Sequence, residues 1–414
     1  HGAKAAVGHV RQSIGGGIAT PSNIQPLVVH HASGSLALCY NGKLVNSTAL
    51  RAETENRGGI FQGTNDAEVI SYVIVREHLR TDTLADAVLN AMYYLIGAYS
   101  MVVMDRSCLI AARDPNGFRP LCMGRVKNSI VFASESCAIE ALGGTFLRDV
   151  EPGEVVVAEY GSTEVQSYHC DVRAKSALCM FELIYFARQD SVVDGAAVSK
   201  VREKAGRMLA RRSAVTGDVV LGVPDSGIAH AIGYANRSGV PFARPFIKYT
   251  PTWPRSFMPT QQSQRNLIAR MKLIPVHKLI KDKSLLMIDD SIVRGTQLRE
   301  TTEFLYNNGA KEVHIRPACP PLLYGCKYLN FSRSKSEMDL ITRRIIAKRE
   351  GDNVSDRILQ DYANPDSTNY KEMLEEIRKE LNFTSLKYHR LDDLKKSIDI
   401  EPCKLCTYCW NGQE

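Results

Sequence analysis

Two adjacent carboxylates followed by small residues make Leu285–Gln297 (LLMIDDSIVRGTQ) the segment with the clearest chemistry in this sequence. Its apolar run predicts a buried strand that ends at Asp289 and Asp290, and the residues after it are typical of a turn into a helix. Amides from Ser291 to Gln297, at a helix N-terminus, can donate hydrogen bonds to a phosphate. The carboxylates can accept hydrogen bonds from sugar hydroxyls or hold a divalent cation. A turn with an Asp N-cap would explain only one acid and one serine of this pattern.

A second loop of the same kind is Gly222–Gly227 (GVPDSG), which also follows an apolar run. Ligands of open α/β sheets bind beyond the carboxyl ends of the strands, where two such loops would lie close together. The loop suits a pyrophosphate, and an ordinary Pro-Asp-Ser-Gly turn explains it equally well.

The cysteines suggest a second kind of chemistry at the C-terminus. There are eleven, an odd total, and the sequence from His1 shows no apolar signal core, so we expect no disulfide framework. Three of them crowd the end of the chain at Cys403, Cys406 and Cys409. The C-x-x-C spacing of the last two is ambiguous between zinc, an iron–sulfur cluster and redox use.

Two different patterns of elements surround these residues. Residues 1–170 contain short apolar runs broken by turns, with helical spacing at Asn65–Leu79 and Thr83–Leu95, which indicates a layered β-rich domain. From Val198 onward strands and helices alternate, which predicts a mainly parallel sheet with crossover helices. Residues 346–395 are charged and predicted to be helical, and a short cysteine tail follows them.

Composition limits the class of protein. The chain has 414 residues, 44% of them apolar and 23% charged, as in ordinary globular proteins of two domains. No apolar run is long enough to cross a bilayer, so we expect no membrane partner. The formal charge of +7 is spread along the chain, so nucleic-acid binding is weakly supported and phosphorylated small molecules explain the charge as well.

Several motifs together resemble one family. LLMIDDSIVRGTQ resembles the signature of type I phosphoribosyltransferases, and further segments are similar to amidophosphoribosyltransferases, the glutamine-dependent enzymes that open purine synthesis. These segments are GHVRQS (8–13), YNGKLVN (40–46), IFQGTNDAEV (60–69), RDPNGFRPL (113–121), LCMFELIYFARQDS (178–191), PRSFMPTQQSQRNLIARMKL (254–273) and CTYCWNG (406–412). The resemblance is collinear along the chain and weakest over residues 328–395.

The resemblance implies a fold and a domain order. We expect an α+β glutaminase-like domain of the N-terminal-nucleophile type over residues 1–172, incomplete at its N-terminus. An α/β type I phosphoribosyltransferase domain would follow over residues 173–345, and residues 346–414 would form a helical segment with the cysteine tail.

The family's site residues can be carried over to matching positions. Arg11 and Asp66 would hold glutamine, and Asn41 and Gly42 would form an oxyanion hole. Mg²⁺ would be held by Ser226, Asp289 and Asp290. The phosphoribosyl-pyrophosphate site would comprise Asp225, Ser226, Gly227, Arg255, Asp289, Asp290, Ser291, Arg294, Gly295 and Thr296, with residues 255–270 as a lid.

The glutaminase nucleophile of the family is an N-terminal cysteine, and it is not in this chain, which begins at His1. None of the eleven cysteines matches its position. Three further departures are Gln12 in place of an aromatic residue, Tyr40 in place of a histidine, and Pro254 in place of a glycine.

The resemblance also narrows the interpretation of the cysteines. One branch of the family holds a [4Fe–4S] cluster through four positions, which here are Cys179, Cys326, Cys406 and Cys409. A zinc site or uncoordinated thiols are the alternative. Cys403 would then be a bystander.

The expected function is therefore an enzyme that makes 5-phosphoribosylamine from phosphoribosyl pyrophosphate and glutamine. We also expect Mg²⁺, a [4Fe–4S] cluster, feedback purine nucleotides, a homo-oligomer (tetramer or dimer), and a cytoplasmic location, or a plastid if a transit segment has been removed. The alternative is an ammonia-only or non-catalytic paralogue that binds phosphoribosyl pyrophosphate or nucleotides as a regulator. A salvage phosphoribosyltransferase is disfavoured, because a glutaminase-like domain would serve no purpose there.

Overall fold

Two sheets of different construction divide the chain into an N-terminal and a C-terminal half. The computed structural model describes residues 4–10, 21–248, 273–329 and 337–413. The large sheet of the N-terminal half is antiparallel, and the central sheet of the C-terminal half is parallel. The predicted order, an α+β half followed by an α/β half, is confirmed.

The N-terminal half is made of short strands with a few helices between them. Its strands are β1 (Leu27–His31), β2 (Gly34–Leu44), β3 (Gly97–Met104), β4 (Cys108–Arg113), β5 (Cys122–Val126), β6 (Ser129–Ala133), β7 (Thr145–Asp149), β8 (Glu154–Glu159) and β9 (Gln166–His169). Its α-helices are α1 (Ser47–Asn56), α2 (Asp66–His78), α3 (Leu84–Met92) and α4 (Ser136–Ala141), after a 3-10 turn at Pro21–Asn23.

The large sheet has the order β1-β2-β3-β4-β8-β9 and is covered on both faces. Side chains alternate between the faces of a strand, so Ile110 and Ala112 of β4 pack into the core that α2 and α3 share. Ala111 between them packs on the other side with Met123 and Val150, against the small sheet β6-β5-β7. The N-terminal half is therefore layered as helices, large sheet and small sheet.

The C-terminal half alternates strands and helices. Its strands are β10 (Leu178–Cys179), β11 (Val192–Val193), β12 (Ala196–Ala197), β13 (Val219–Gly222), β14 (Phe246–Lys248), β15 (Leu273–Pro275), β16 (Ser284–Asp289), β17 (Glu312–Pro317), β18 (Ser385–Leu386) and β19 (Leu405–Cys406). Its α-helices are α5 (Val198–Arg212), α6 (Gly227–Ser238), α7 (His277–Ile280), α8 (Thr296–Asn307), α9 (Ile341–Glu350), α10 (Asp356–Ala363), α11 (Thr368–Glu380), α12 (Leu391–Lys396) and α13 (Tyr408–Asn411). A π-helix spans Glu182–Phe186, and 3-10 turns lie at Glu337–Asp339 and Pro402–Lys404.

The central sheet has the order β13-β16-β17-β18, with each pair parallel. Strand β16 is buried along its whole length. Leu286 and Ile288 face the core with α5 and α6, and Leu285 and Met287 face the core with α8, α9 and α11. Helices thus cover both faces, as all-parallel sheets require.

Glycines bring α5 and α6 unusually close together. A Cβ on Gly206 of α5 would lie 1.9 Å from the carbonyl oxygen of His230 in α6. A Cβ on Gly233 of α6 would lie 2.0 Å from the carbonyl oxygen of Glu203 in α5. Since both contacts involve backbone atoms, neither helix has room for a side chain at this crossing.

The helices predicted from the sequence agree with the structure better than the predicted strands do. The predicted helix at Asn65–Leu79 is observed as Asp66–His78, and the one at Thr83–Leu95 ends earlier, at Met92. The sequence did not indicate β5, β7 or the π-helix. Nor did it indicate β18, which interrupts the segment expected to be helical and pairs with β17.

We predict that Gly206→Ala destabilises the protein by about 1–3 kcal/mol, because the added methyl group would overpack the helix crossing. An exposed helix position would instead gain roughly 1 kcal/mol from the same substitution. Urea unfolding measures the difference. Arg211→Ala, at an exposed position of the same helix, is the control and should change stability by less than about 0.5 kcal/mol.

Candidate active site

Ser226, Asp289 and Asp290, the three residues expected to hold Mg²⁺, lie together at the carboxyl end of the parallel sheet. The side chains of both aspartates are largely buried, with 8% and 6% of their surface exposed. The Ser226 hydroxyl donates to Asp290 Oδ1 at 2.5 Å, and the Ser291 hydroxyl donates to Asp290 Oδ2 at 2.6 Å. The Asp290 amide donates to Asp289 Oδ1 at 2.9 Å. These contacts join the two predicted phosphate-binding loops, Gly222–Gly227 and the end of Leu285–Gln297.

Close packing of the first loop on β16 is what brings Ser226 to Asp290. Ser226 directly precedes helix α6, which begins at Gly227. A Cβ on Gly227 would lie 2.6 Å from the carbonyl oxygen of Ile288, so the loop rests against the strand backbone. Gly227 is therefore required because a side chain would prevent the loop from packing on the strand, not because the turn needs a flexible residue.

The second loop leads directly into α8. Gly295 has φ +82° and precedes the first residue of the helix, Thr296. A Cβ there would lie 2.9 Å from Ile341 and from Leu381, so glycine is needed both for the backbone conformation and for space. Arg294 makes an exposed ion pair with Asp339 at 3.2 Å. Arg255 and the predicted lid, residues 255–270, lie outside the described residues, as do Arg11, Gln12 and Pro254.

Burial dominates the electrostatics of the aspartate pair. It raises the pKa of Asp289 well above its usual range, and the neighbouring charge of Asp290 raises it further. Burial also raises the pKa of Asp290. The hydrogen bonds from Ser226 and Ser291 lower this pKa, and so does the positive charge of Arg202. Ionising both of these adjacent buried carboxylates is costly, and a hard divalent cation or a set of hydroxyl donors would stabilise the ionised pair.

Arg202 lies near this site and was not among the predicted site residues. It is 3% exposed, and its Nε and Nη2 donate to the carbonyl oxygens of Leu183 and Ala187 at 2.9 and 2.7 Å. These carbonyls belong to the π-helix and the residue after it. The available signal was an arginine on the apolar face of α5, in helical register with Val198 and Ala205.

Asp66, the predicted glutamine-binding residue that the structure describes, contacts the large sheet of the N-terminal half. Asp66 begins α2, and its Oδ2 accepts hydrogen bonds from the Leu44 amide at 2.8 Å and the Tyr40 hydroxyl at 3.2 Å. Burial raises the pKa of Tyr40 far above its usual range, so the phenol stays protonated and donates. Tyr40, at the position of the family's histidine, thus contacts the predicted amino-group ligand directly.

Asn41 and Gly42, the expected oxyanion-hole residues, follow Tyr40 in β2. A Cβ on Gly42 would lie 1.9 Å from the carbonyl oxygen of Ala98 in β3, so the strands are too close for a side chain. The Asn41 amide oxygen accepts a hydrogen bond from Arg119 at 3.1 Å. Arg119 also pairs with Glu182 of the π-helix at 2.8 Å. Neither Arg119 nor Glu182 was among the predicted site residues.

Four cysteines predicted to act together share one region. Cys179 of β10 and Cys406 of β19 are direct partners in a parallel pair, and both pack with Cys326 against Phe118 and Tyr328. The carbonyl oxygen of Cys409 accepts hydrogen bonds from the amides of residues 323 and 324. The tail is thereby held beside the chain that carries Cys326.

The thiols of this group influence one another. Burial raises the pKa of Cys179 and of Cys409 well above the usual range, and the other cysteines of the group raise both further. Among the described residues, no set of three or more His, Cys, Asp or Glu side chains has the geometry to hold a metal ion. Cys403 is exposed and outside the group. No disulfide joins any of the eleven cysteines, all of which are described.

Known proteins match almost the whole chain. Residues 9–141 match a family described as a glutamine amidotransferase domain. An amidophosphoribosyltransferase of Methanocaldococcus jannaschii is 38% identical over 98% of this chain and 82% of its own length. The chain belongs to the amidophosphoribosyltransferase family. A chloroplastic amidophosphoribosyltransferase of Vigna aconitifolia is 39% identical over 99% of this chain and 77% of its own length.

A solved structure agrees with this membership. It is the glutamine phosphoribosylpyrophosphate amidotransferase from Bacillus subtilis complexed with ADP and GMP. It superposes with a TM-score of 0.82 at 36% identity and covers 98% of this chain and 82% of that one. The resemblance read from the sequence is confirmed, and so are the two-part fold and the assignment to an enzyme family of glycosyltransferases.

We predict that Asp289→Asn stabilises the protein at pH 8 without divalent cations, by about 2–4 °C in Tm. Because the folded-state pKa of Asp289 is raised, its contribution to stability is fully present below about pH 4 and is lost as the pH rises through the raised pKa. The gain of the variant should therefore vanish near pH 4. Differential scanning fluorimetry across this range measures it.

Added Mg²⁺ should reverse this order, raising the Tm of the wild type but not of Asp289→Asn. Asp352→Asn, an exposed position, serves as the control and should follow the wild type throughout. A Tm for Asp289→Asn below that of the wild type at pH 8 without cation would contradict the assignment of a destabilising charge.

Proposed function

We propose that this chain transfers ammonia, released from glutamine, to C1 of phosphoribosyl pyrophosphate. The products would be 5-phosphoribosylamine, glutamate and pyrophosphate, the first step of purine biosynthesis. The observation that carries the proposal is the joined Ser226–Asp290–Ser291 site in a member of this family. Relatives over nearly the full chain are named for this enzyme, and they offer no support for a regulatory paralogue.

In the acceptor half, the two loops at the end of the parallel sheet would divide the substrate between them. Asp289 and Asp290 would accept hydrogen bonds from the ribose hydroxyls. Amides of Ser291–Thr296 at the start of α8 would bind the 5-phosphate, and Asp225–Gly227 at the start of α6 the pyrophosphate. Arg255 and Arg294 would add positive charge once the substrate is bound.

A magnesium ion fits this donor set. Carboxylates and a hydroxyl are hard oxygen ligands, and Ser226, Asp290 and Asp289 are linked by hydrogen bonds at one end of the sheet. Ser226, Asp289 and Asp290 would hold the ion, which when bound would neutralise charge on the leaving pyrophosphate.

In the glutamine half, binding and charge stabilisation would come from β2 and α2. Asp66 would hold the α-amino group of glutamine and Arg11 its carboxylate. Asn41 and Gly42 would donate hydrogen bonds to the oxyanion that forms at the amide carbon. No residue of this sequence matches the position of the nucleophilic cysteine that the family uses. In such enzymes the α-amino group of that cysteine supplies the general base.

The cysteine group fits a [4Fe–4S] cluster in donor chemistry. Cys179, Cys326, Cys406 and Cys409 offer four half-buried thiols in two apolar clusters that share Cys179, and thiolates are the ligands of such clusters. The cluster would join β10, the segment after β17 and the C-terminal tail. Its role would be structural, since no hydrogen bond among the described residues joins these thiols to the Ser226–Asp290 site.

Regulation and assembly are proposed on the same family basis. Purine nucleotides would act as feedback inhibitors. The related Bacillus subtilis enzyme has been solved in complex with two of them, ADP and GMP. The protein would form a homo-oligomer, a tetramer or a dimer. None of the helices in the described ranges is long and apolar enough to span a membrane. We propose a cytoplasmic location, with a plastid as the alternative because the Vigna aconitifolia relative is chloroplastic.

The reaction is tested by measuring pyrophosphate release from phosphoribosyl pyrophosphate with Mg²⁺, using either glutamine or ammonium. We predict activity with ammonium, and activity with glutamine when the protein also carries the family's N-terminal cysteine. Asp290→Asn should lower kcat/KM about 100-fold or more with either donor, because that variant loses a charged ligand of the site. Asp352→Asn should keep wild-type rates. Activity with ammonium alone in the protein with that cysteine would favour the ammonia-only paralogue, and no activity with either donor would overturn the proposal.

The cluster is tested in anaerobically purified protein by visible absorbance and by iron and sulfide content. Cys406→Ser should lose both, because three thiolates cannot complete the ligand set. Cys403→Ser is a matched control in the same tail, with an exposed side chain, and should keep both. Zinc in place of iron, with no visible absorbance, would show that the site is a zinc site instead.

A further inference from the structure

Arg119 connects the proposed oxyanion hole to the other half of the molecule. Its Nη2 lies 3.1 Å from Asn41 Oδ1, and its Nη1 lies 2.8 Å from Glu182 Oε2. Asn41 belongs to the large antiparallel sheet, whereas Glu182 opens the π-helix of the C-terminal half. A single guanidinium therefore contacts an amide in one half and a carboxylate in the other.

The chemistry of arginine decides which way the Asn41 amide faces. A guanidinium has five N–H donors and no acceptor, so it can bond only to the oxygen of a carboxamide. The contact therefore holds Oδ1 toward Arg119 and turns the NH₂ group to the opposite side. An oxyanion hole needs donors, so this is the orientation in which the Asn41 side chain can stabilise an oxyanion.

The guanidinium itself is held in place on several sides. Glu182 is 5% exposed and the Arg119 side chain 16%, so the ion pair between them is shielded from water. Arg119 Cζ lies 5.9 Å from the centre of the Phe186 ring. The backbone next to this side chain is also fixed, because the Arg119 carbonyl oxygen accepts hydrogen bonds from Arg113 Nε at 2.7 Å and from the Ser100 hydroxyl at 3.2 Å.

We propose that Arg119 is a positioning residue for glutamine hydrolysis, which fixes the Asn41 amide as an oxyanion donor and is itself fixed by Glu182. The proposal rests on the glutaminase half of the proposed function. Because Glu182 lies outside the amidotransferase-like segment 9–141, the oxyanion hole depends on a residue of the phosphoribosyltransferase-like half. That half thus contributes to glutamine chemistry without touching glutamine.

The test compares Arg119→Gln with Arg119→Lys in protein that also carries the family's N-terminal cysteine, so that glutamine hydrolysis can be measured. Glutamine can both donate and accept, so it allows either orientation of the Asn41 amide, whereas lysine only donates. We expect Arg119→Gln to lower kcat for glutamine hydrolysis about 100-fold, the effect of losing one oxyanion donor. Arg119→Lys should restore it to within roughly 10-fold of the wild type, since its ammonium also bonds only to oxygen.

Two further readouts separate orientation from general damage. The KM for glutamine and the ammonium-dependent rate should both stay near wild type, because neither uses the oxyanion hole. Arg125→Gln, which changes an arginine bonded to the Thr163 carbonyl in the same half, should leave every parameter unchanged. Equal kcat values for Arg119→Gln and Arg119→Lys, or a raised KM with unchanged kcat, would overturn the proposal.

If the wild type with the N-terminal cysteine uses ammonium but does not hydrolyse glutamine, the glutaminase half of the proposed function is refuted. The contact between Arg119 and Asn41 is then tested by a measurement that needs no turnover. ¹⁵N relaxation of the Asn41 side-chain NH₂, assigned by its loss in Asn41→Asp, reports how tightly the amide is held. We expect a restricted group in the wild type and a mobile one in Arg119→Gln. An equally restricted group in both would show that Arg119 does not hold the amide.

Discussion

The contact between the two halves depends on the ion pair of the buried Arg113 guanidinium with Asp194. The guanidinium is 1% exposed and pairs with both carboxylate oxygens of Asp194, at 2.6 and 2.9 Å. It also donates to the carbonyl oxygens of Gly117, Val150 and Arg119. A buried charge is tolerated only when its donors are satisfied, so this set of contacts closes the 113–119 loop and ties it to the C-terminal half.

The closed 113–119 loop positions side chains in both halves of the molecule. It places Arg119 between Asn41 in the N-terminal half and Glu182 in the C-terminal half. From Glu182 the π-helix continues to carbonyls held by Arg202, whose charge favours the ionised form of Asp290. Buried charged groups thus lie along the whole path between the two proposed sites, and each is oriented by hydrogen bonds to the next element.

Much of the fold and of the candidate site could be predicted from sequence because the signals are local. The strand before Asp289 and Asp290 is an uninterrupted apolar run, and the helix that begins near Asp66 has clear periodicity. The pairing of strands was less accessible. Two-residue strands such as β18 and the separation of β5, β6 and β7 into their own sheet depend on contacts between distant residues, for which a single sequence carries no pattern.

The sequence by itself determined the residue types of the site, the family and the order of its two halves, because motifs such as LLMIDDSIVRGTQ combine strand, carboxylates and helix start in one short segment. Only the tertiary structure decided that Ser226 bonds to Asp290, that Tyr40 donates to Asp66, and that Arg119 joins Asn41 to Glu182. Each of these contacts spans many residues of chain. Its existence follows from how the sheets and helices pack, and packing is a property of the whole fold rather than of any segment.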